Sequence, residues 1–384
     1  MKKVVVIMNT DRAGGAERSL LIQLLAQKEN VYDFLIPSVS GSKQLENLIR
    51  SYGLGSVEYY HYPKAIYNLS RSSKHFSFKI IKDLFSAVFE QNDFKKISTT
   101  DIVYINGAKA AFLFFLKNNL LKYDKKVIWH FRDYWHSSAF QSFVWSLINN
   151  IKPKNLQLVC NSHSTLESLK QSPWANCAKT VIYNPSGLQV MPKNLKAVKT
   201  IGFVSMLAPW KGIHEVLLWT KLYEKELIDL GIEKVKFYGA DLYVTEGEHL
   251  GYAKQISKLI EKLLPKLVSF EGHQEPSEIF KNIDCLIHYS LEPEPFGRVI
   301  IEAFHHRVPT ISTSLGGAAE LIADQKTGIT TLKYDKAGLY EAVRKIVTDD
   351  QFRQKIIESA FTKSIDIEEK IDLGMHQILE EVAV

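Results

Sequence analysis

The chain has 384 residues, of which 46% are hydrophobic and 23% charged, and its formal net charge is +6. This composition excludes wholesale disorder, and the length predicts two domains. The longest clean apolar runs, Val4–Met8 and Ala110–Leu116, are too short to cross a bilayer, and the first is also too short for a secretory leader.

The first half of the chain predicts a doubly wound α/β domain. It opens with a buried strand at Lys3–Met8, a glycine-rich turn and a helix at Arg18–Gln27. Further strand-like runs alternate with helical patterns, which favours a parallel sheet. These runs are Tyr32–Ile36, Ile102–Ile105, Lys126–His130, Leu156–Cys160 and Thr180–Tyr183.

A second strand–helix series follows a linker at residues 184–199, where periodicity is lost and two prolines and a glycine occur. The tail at 350–384 is helical and charged. Two such series predict two Rossmann-like domains facing a cleft, with ligands at the carboxyl ends of the strands. The predicted strands are Thr200–Met206, Val235–Tyr238, Leu267–Phe270, Cys285–Tyr289 and Pro309–Ser312, with helices near 212–229, 249–263, 297–306 and 335–347.

Two features of the first half are candidates for a ligand site. Gly14 and Gly15 follow the first strand and let a ligand approach the backbone closely, although they also fit an ordinary tight turn and do not form the G-x-G-x-x-G fingerprint. His130 ends a predicted strand and can donate or accept a hydrogen bond at a ligand. A histidine there is also compatible with a purely structural role.

Three features of the second half are stronger together than singly. Lys211 lies in a loop just before a helix, where a lysine can meet a phosphate, although a solvated lysine is the alternative. Glu294 and Glu302 have seven residues between them, so one falls in a loop and the other on the helix that begins near Gly297. Helix-start amides bind anions, and carboxylates accept from hydroxyls. The alternative is an ordinary amphipathic helix. Residues 314–320 form another glycine turn.

Taken together, these motifs resemble those of the retaining GT-B glycosyltransferases of family 4, over nearly the whole chain. The resemblance rests on the glutamate pair Glu294 and Glu302, the Gly-Gly-x-Glu loop at 14–17 and Lys211-Gly212. It also rests on the run at 270–273 and the turn at 316–320 with its later Thr327-Gly328. It implies a GT-B fold, with residues 1–190 and about 364–384 on the acceptor side and 191–363 binding a nucleotide-sugar.

The resemblance also implies roles for individual residues. Glu302 would hold the ribose hydroxyls, and Lys211 would neutralise the leaving diphosphate. Gly15, beside Gly14, would lie near the donor phosphates or the acceptor, and His130 near the anomeric carbon. The donor sugar would be held by Glu294 and the amides that open the helix at Phe296, Gly297, Arg298 and Val299.

The family often carries an arginine five residues before the lysine, where this chain has Met206. Arg298 and Arg12 are therefore candidates for the second positive charge at the diphosphate. The implied reaction transfers a sugar with retention, from a UDP- or GDP-sugar most readily, without a metal ion or other cofactor. Two alternatives are a nucleotide-sugar epimerase and a catalytically silent binding subunit.

Charge is distributed unevenly, with a net +11 over residues 1–190 and −5 over 191–384, and no nucleic-acid recognition motif accompanies it. We expect a glycan or lipid-linked acceptor, as in lipopolysaccharide or capsule synthesis. Residues 61–96 carry seven basic and three acidic residues among aromatics, which predicts contact with an anionic membrane surface. Three separated cysteines suit a reducing cytoplasm. Together with the basic segment 61–96, this predicts a cytoplasmic protein attached peripherally to the inner face of the membrane.

Overall fold

The computed structural model divides into two compact units, Met1–Asn184 with Lys370–Val384, and Pro185–Glu369. The predicted roles of the two units, on the acceptor side and the donor side, stay predictions. The residues that the structure describes are 1–62, 96–135, 152–187, 197–239, 251–263 and 267–381.

The first unit is built on a parallel sheet in the order β3-β2-β1-β4-β5-β6-β7. Because the order reverses between β1 and β4, the loops after these two strands meet at the carboxyl edge. The elements are β1 Lys3–Ile7, α1 Gly15–Leu25, β2 Val31–Ser38, α2 Gln44–Ser51, β3 Gly55–His61, β4 Ile102–Asn106, α3 Ala108–Leu121, β5 Lys126–Phe131, β6 Leu156–Cys160, α4 His163–Ser168 and β7 Ala178–Val181.

The core of the first unit explains why its central strands read as continuous apolar runs. Residues 4–7 of β1 are fully buried and mostly β-branched, as in strands covered on both faces. Trp129 packs edge-on against Trp174, with ring centroids 5.3 Å apart. The end of the last helix also belongs here, because Lys126 Nζ donates to the Ile378 carbonyl at 2.5 Å.

The second unit repeats the same strand order, β10-β9-β8-β11-β12-β13, again all parallel. Its reversal falls between β8 and β11. The elements are β8 Thr200–Val204, α5 Ile213–Leu222, α6 Glu224–Asp229, β9 Lys234–Tyr238, α7 Tyr252–Leu263, β10 Val268–Gly272, α8 Pro276–Lys281, β11 Cys285–His288, α9 Arg298–His305, β12 Thr310–Ser312, α10 Ala318–Leu321, β13 Ile329–Thr330, α11 Lys336–Thr348 and α12 Asp350–Glu380.

The predicted α/β class, with two doubly wound sheets, is confirmed. The sequence reading missed β3 and β13, and it placed β7 two residues too late. β3 lies at the sheet edge and exposes most of its residues, so it lacks a buried strand's apolar run. Of the segment predicted to meet a membrane, 61–96, residues 63–95 lie outside the described residues. Within the described ranges, no helix is long and apolar enough to cross a membrane.

Candidate functional site

In the second unit, the loop between β11 and α9 carries Glu294 at the carboxyl edge of the sheet. Its backbone is joined to the loop after β12, since Glu294 N donates to Leu315 O at 3.2 Å and Gly317 N donates to Glu294 O at 2.7 Å. Gly317 permits this approach, because a Cβ there would lie 2.3 Å from Pro295 O. The glycine turn at 314–320 therefore supports the glutamate loop.

Lys211 ends a single 3₁₀ turn, Pro209–Lys211, between β8 and α5. Gly212 follows it with φ +73°, and a Cβ at this position would lie 2.2 Å from Tyr289 O. In addition, Leu291 N donates to Trp210 O at 2.7 Å. These backbone contacts hold the lysine turn against the loop that carries Glu294.

The side chains of Lys211 and Glu294 form a buried ion pair. Lys211 Nζ lies 2.6 Å from Glu294 Oε1, and the two side chains are 14% and 7% exposed. His288 Nε2 lies 2.8 Å from the same oxygen, and the Ser290 hydroxyl also donates to it. This approach of His288 Nε2 to Glu294 Oε1 is a close electrostatic contact.

These neighbours keep Glu294 ionised. Burial by itself raises the pKa of Glu294, because it penalises the charged form. The charge and hydrogen bond of Lys211, and then the close approach of His288, outweigh burial and hold this pKa well below its usual range. A buried carboxylate that stays charged provides a fixed acceptor and anchors the lysine beside it.

Sequence reasoning missed His288 and Ser290. His288 lies in the predicted strand Cys285–Tyr289 and Ser290 directly follows it, and neither belongs to a motif. Two polar residues at the end of a buried strand, in a doubly wound fold whose ligands bind at strand ends, are the signal that could have found them.

Helix α9 begins at Arg298, directly after Gly297, which agrees with the helix predicted near 297–306. Arg298 donates to Glu302 one turn further along the helix, and their side chains are 20% and 5% exposed. Phe296 is buried, and Val299 packs against an apolar cluster that includes Ala303. Arg298 was predicted to meet a diphosphate. The structure places its guanidinium on the carboxylate predicted to bind ribose.

In the first unit, Gly14 caps α1 and Gly15 is its first residue, so the predicted glycine turn does open a helix. Asn9 joins the loop after β1 to the start of α3, which follows the neighbouring strand β4. Asn9 Oδ1 accepts from Lys109 N at 3.0 Å and from Ala110 N at 3.2 Å.

His130 lies in β5 and is fully buried. Its Nδ1 lies 2.7 Å from the Tyr104 hydroxyl and 3.0 Å from Arg132 Nη2. A guanidinium can only donate, so Nδ1 accepts and the neutral ring carries its proton on Nε2. Nε2 has no hydrogen-bond partner among the described residues. Burial, and then the charge of Arg132, hold the pKa of His130 well below its usual range.

Arg132 is the centre of this group, and the sequence analysis did not single it out. It donates to Asn106 Oδ1 at 2.9 Å and to Gln23 Oε1 at 3.0 Å, and it also donates to Asn184. These partners come from β4, α1 and the residues after β7. The arginine therefore fixes the strand end on which His130 lies.

The remaining predicted positions are Met206 and Arg12. Met206 lies half-buried between β8 and the lysine turn, and its carbonyl accepts from Ala208 N at 3.0 Å. Arg12 is half-buried in the loop before α1 of the first unit. The structure thus brings Lys211, Glu294, Arg298 and Glu302 to one edge of the second sheet. It places Gly14, Gly15 and His130 in the first unit.

Comparison with known proteins gives a family match for most of the second unit. Residues 191–363 match the family model described as glycosyl transferases group 1. The chain is 24% identical over 176 residues to the capsular polysaccharide biosynthesis glycosyltransferase CapM of Staphylococcus aureus, which covers 44% of each protein. The match therefore spans less than half of that relative. This chain is also 22% identical to an uncharacterized glycosyltransferase of Haemophilus influenzae, and that match covers 99% of both chains.

Solved structures share the whole fold. The Anabaena HepE structure in complex with UDP-glucose has a TM-score of 0.76 and 20% identity, and the match covers 100% of both chains. Sucrose-phosphate synthase from Thermosynechococcus elongatus has a TM-score of 0.72 and 15% identity, covering 99% of this chain and 98% of that one. At these identities the likeness concerns the fold alone, and it confirms the GT-B class.

Proposed function

We propose, from the match of residues 191–363 to the glycosyl transferases group 1 model, that the chain transfers a sugar from a nucleotide-sugar to a glycan or lipid-linked acceptor. The transfer proceeds with retention and without a metal ion. We place it in the synthesis of a bacterial surface polysaccharide. The match to a capsular polysaccharide glycosyltransferase supports that setting.

The observation that carries this proposal is the buried Lys211–Glu294 pair at the reversal point of the second sheet. A leaving nucleoside diphosphate gains negative charge as the glycosidic bond breaks. Lys211, already fixed by Glu294, supplies a preorganised positive charge at that point. Glu294 accepts a hydrogen bond from a hydroxyl of the donor sugar, and the amides of Phe296 and Gly297 donate to the sugar's oxygens.

Glu302 receives the ribose hydroxyls of the nucleotide in this proposal. It is buried on α9, eight residues after Glu294, and Arg298 orients it by a charge-assisted hydrogen bond. His130 is assigned to the neighbourhood of the anomeric carbon, where its protonated Nε2 is a donor. Most of the catalytic effect then comes from positioning and from electrostatic stabilisation.

A UDP-sugar is our first choice of donor, because the Anabaena HepE structure with the same fold contains UDP-glucose. The test is a thermal-shift screen of UDP-, GDP-, ADP- and dTDP-sugars. A ligand at 100 times its Kd adds about 2.7 kcal/mol of stability. We expect one nucleotide class to give a clear shift, and no shift with any of them would refute the donor assignment.

Catalysis is tested by hydrolysis of that donor, with and without excess EDTA. We expect turnover that EDTA does not reduce and a product of retained anomeric configuration. Loss of activity that Mg²⁺ or Mn²⁺ restores would overturn metal independence. Binding without any turnover would favour the silent binding subunit.

For the acceptor side, we propose that residues 61–96 approach an anionic membrane surface, on the charge pattern alone. Liposome flotation tests this directly, since each basic residue near an anionic leaflet contributes about 1 kcal/mol. Stronger flotation with anionic than with neutral vesicles is expected. Equal flotation with both would reject the idea.

A further inference from the structure

Both ring nitrogens of His288 contact side chains of the second unit. It is the last residue of β11, and its register partner on the neighbouring strand β12 is Ser312. Nδ1 lies 2.9 Å from Ser312 Oγ, and Nε2 lies 2.8 Å from Glu294 Oε1. His288 and Ser312 are both buried, so the sheet itself fixes this contact.

The hydrogen-bond chemistry sets the direction of the protons. Ser314 has a left-handed backbone, with φ 49°, and its amide donates to Ser312 Oγ at 2.9 Å. The ionised Glu294 carboxylate can only accept, so the imidazole nitrogen facing it carries the hydrogen. In the tautomer with its single ring proton on Nε2, Nδ1 accepts from the Ser312 hydroxyl, and the series runs from Ser314 through Ser312 and His288 to Glu294.

The series ends on the same oxygen that Lys211 contacts. Lys211 Nζ, His288 Nε2 and the Ser290 hydroxyl all meet Glu294 Oε1. We propose that His288 is a positioning residue, which fixes the Glu294 carboxylate so that Lys211 is held ready for the leaving group. The kinetic consequences of this positioning rest on the proposed function, whereas the effect of His288 on Lys211 rests on the geometry alone.

Three variants of His288 and one control distinguish a positioning role of this residue from a role in packing. In His288→Gln, an amide N–H can reach the place of Nε2, whereas His288→Asn offers a group only near Nδ1 and His288→Leu offers none. The matched control is His305→Leu. His305 is another buried histidine whose Nδ1 contacts a serine, Ser364 Oγ at 3.3 Å, and it contacts neither Glu294 nor Lys211 in the described structure.

The kinetic experiment measures kcat and the donor KM of each variant. A small misplacement of a catalytic group costs about 10²-fold in rate. We expect His288→Leu and His288→Asn to lose about that much in kcat, with donor KM close to wild type, and His288→Gln to recover most of the loss. His305→Leu should keep the wild-type kcat. A wild-type kcat in His288→Leu, or a loss that His288→Gln does not reduce, would overturn the positioning role.

A second readout needs no donor. Lys211 is labelled with an amine-reactive ester and quantified by mass spectrometry, in the folded chain without ligand. We expect faster labelling of Lys211 in His288→Leu than in wild type or His305→Leu, because a looser carboxylate holds the ammonium less well. An unchanged labelling rate overturns the inference even if the chain transfers sugar. Faster labelling in a chain without activity upholds it while the proposed function fails.

Discussion

The two sheets share one strand order, but the loops at their carboxyl edges carry different polar side chains. In the second unit, the loops after β8 and β11 bring together a buried ion pair, Lys211 with Glu294. In the first unit, Arg132 follows β5, one strand beyond the reversal, and it donates to the amide oxygens of Gln23 and Asn106 and to the ring nitrogen of His130. The same backbone plan therefore supports a lysine–glutamate pair in one unit and an arginine that binds side-chain amides and a histidine in the other.

This difference teaches which losses each unit tolerates. Removing one partner of a buried ion pair leaves a charge without compensation, which costs about 3–5 kcal/mol. Removing a neutral hydrogen-bond partner costs about 1–3 kcal/mol. We therefore expect the second unit to respond more strongly to a single substitution at its strand ends.

The largest effect is expected from Lys211→Met. Turnover should fall about 10²–10³-fold, the scale for one preorganised stabiliser, as measured by donor hydrolysis. Urea unfolding should show a loss of about 3–5 kcal/mol, because Glu294 becomes an unpaired buried charge. The double variant with Glu294→Leu should regain stability but not activity. Equal instability of the single and double variants would contradict the ion-pair account.

The next effect concerns Glu302→Ala and ligand affinity. A charge-assisted acceptor for ribose hydroxyls is worth about 1.5–3 kcal/mol, so calorimetry should show nucleotide binding weakened by roughly 10–100-fold. The control is Glu358→Ala, which removes an exposed carboxylate paired with Arg307 in the same unit. An unchanged nucleotide Kd in Glu302→Ala would remove this residue from the site.

A smaller effect is expected for Arg132→Lys in the first unit. A lysine keeps the charge but cannot reproduce the planar fork that meets Asn106 and Gln23. We expect a loss of about 1–3 kcal/mol in urea unfolding. If this loss exceeded that of Lys211→Met, the contrast between the two units would be wrong.

The smallest effect is a difference in pH dependence. His130 has its pKa held well below the usual 6.5, so as the pH falls below that value the unfolded chain gains a proton at this residue that the folded chain does not. Its contribution to stability is full above about pH 6.5 and declines below it, by up to about 1.4 kcal/mol per pH unit. His130→Gln should reduce that slope in urea unfolding at pH 5–6.5.

The contribution of Glu294 to stability depends on pH in a lower range than that of His130. Its pKa is held below the usual 4.5, so its contribution is present above that pH and is lost only as the pH falls further, through the folded-state value. Glu294→Gln should therefore leave the slope at pH 5–6.5 unchanged and alter it only below about 4.5. Overlapping pH profiles for the two variants would show that the two groups titrate together.

Much of the architecture was predictable because a buried parallel strand has a local sequence pattern. The runs at Lys126–Phe131 and Leu156–Cys160 are apolar and short, and turn residues bound them. The position of Glu294 before α9 was predictable for a similar reason, since helix starts depend on neighbouring residues. The edge strand β3 was not, because its exposed side chains do not form a buried pattern.

The partners within each strand-end group were not predictable. His288 meets Ser312 only because β11 and β12 are neighbours in register, and that pairing joins residues far apart in the chain. The groups around Arg132 likewise come from three separate elements. Periodicity carries no information on such distant pairings, and the retaining reaction, the donor and the acceptor remain predictions.

The return of the last helix to the first unit has a consequence for synthesis on the ribosome. Lys126 donates to the Ile378 carbonyl at 2.5 Å and Tyr104 contacts Met375, yet the chain between Asn184 and Lys370 belongs to the other unit. At 5–20 residues per second, the first unit waits roughly 10–40 s for its closing helix. The nascent chain therefore exposes that unfinished face while the second unit, which is one continuous segment, is being synthesised.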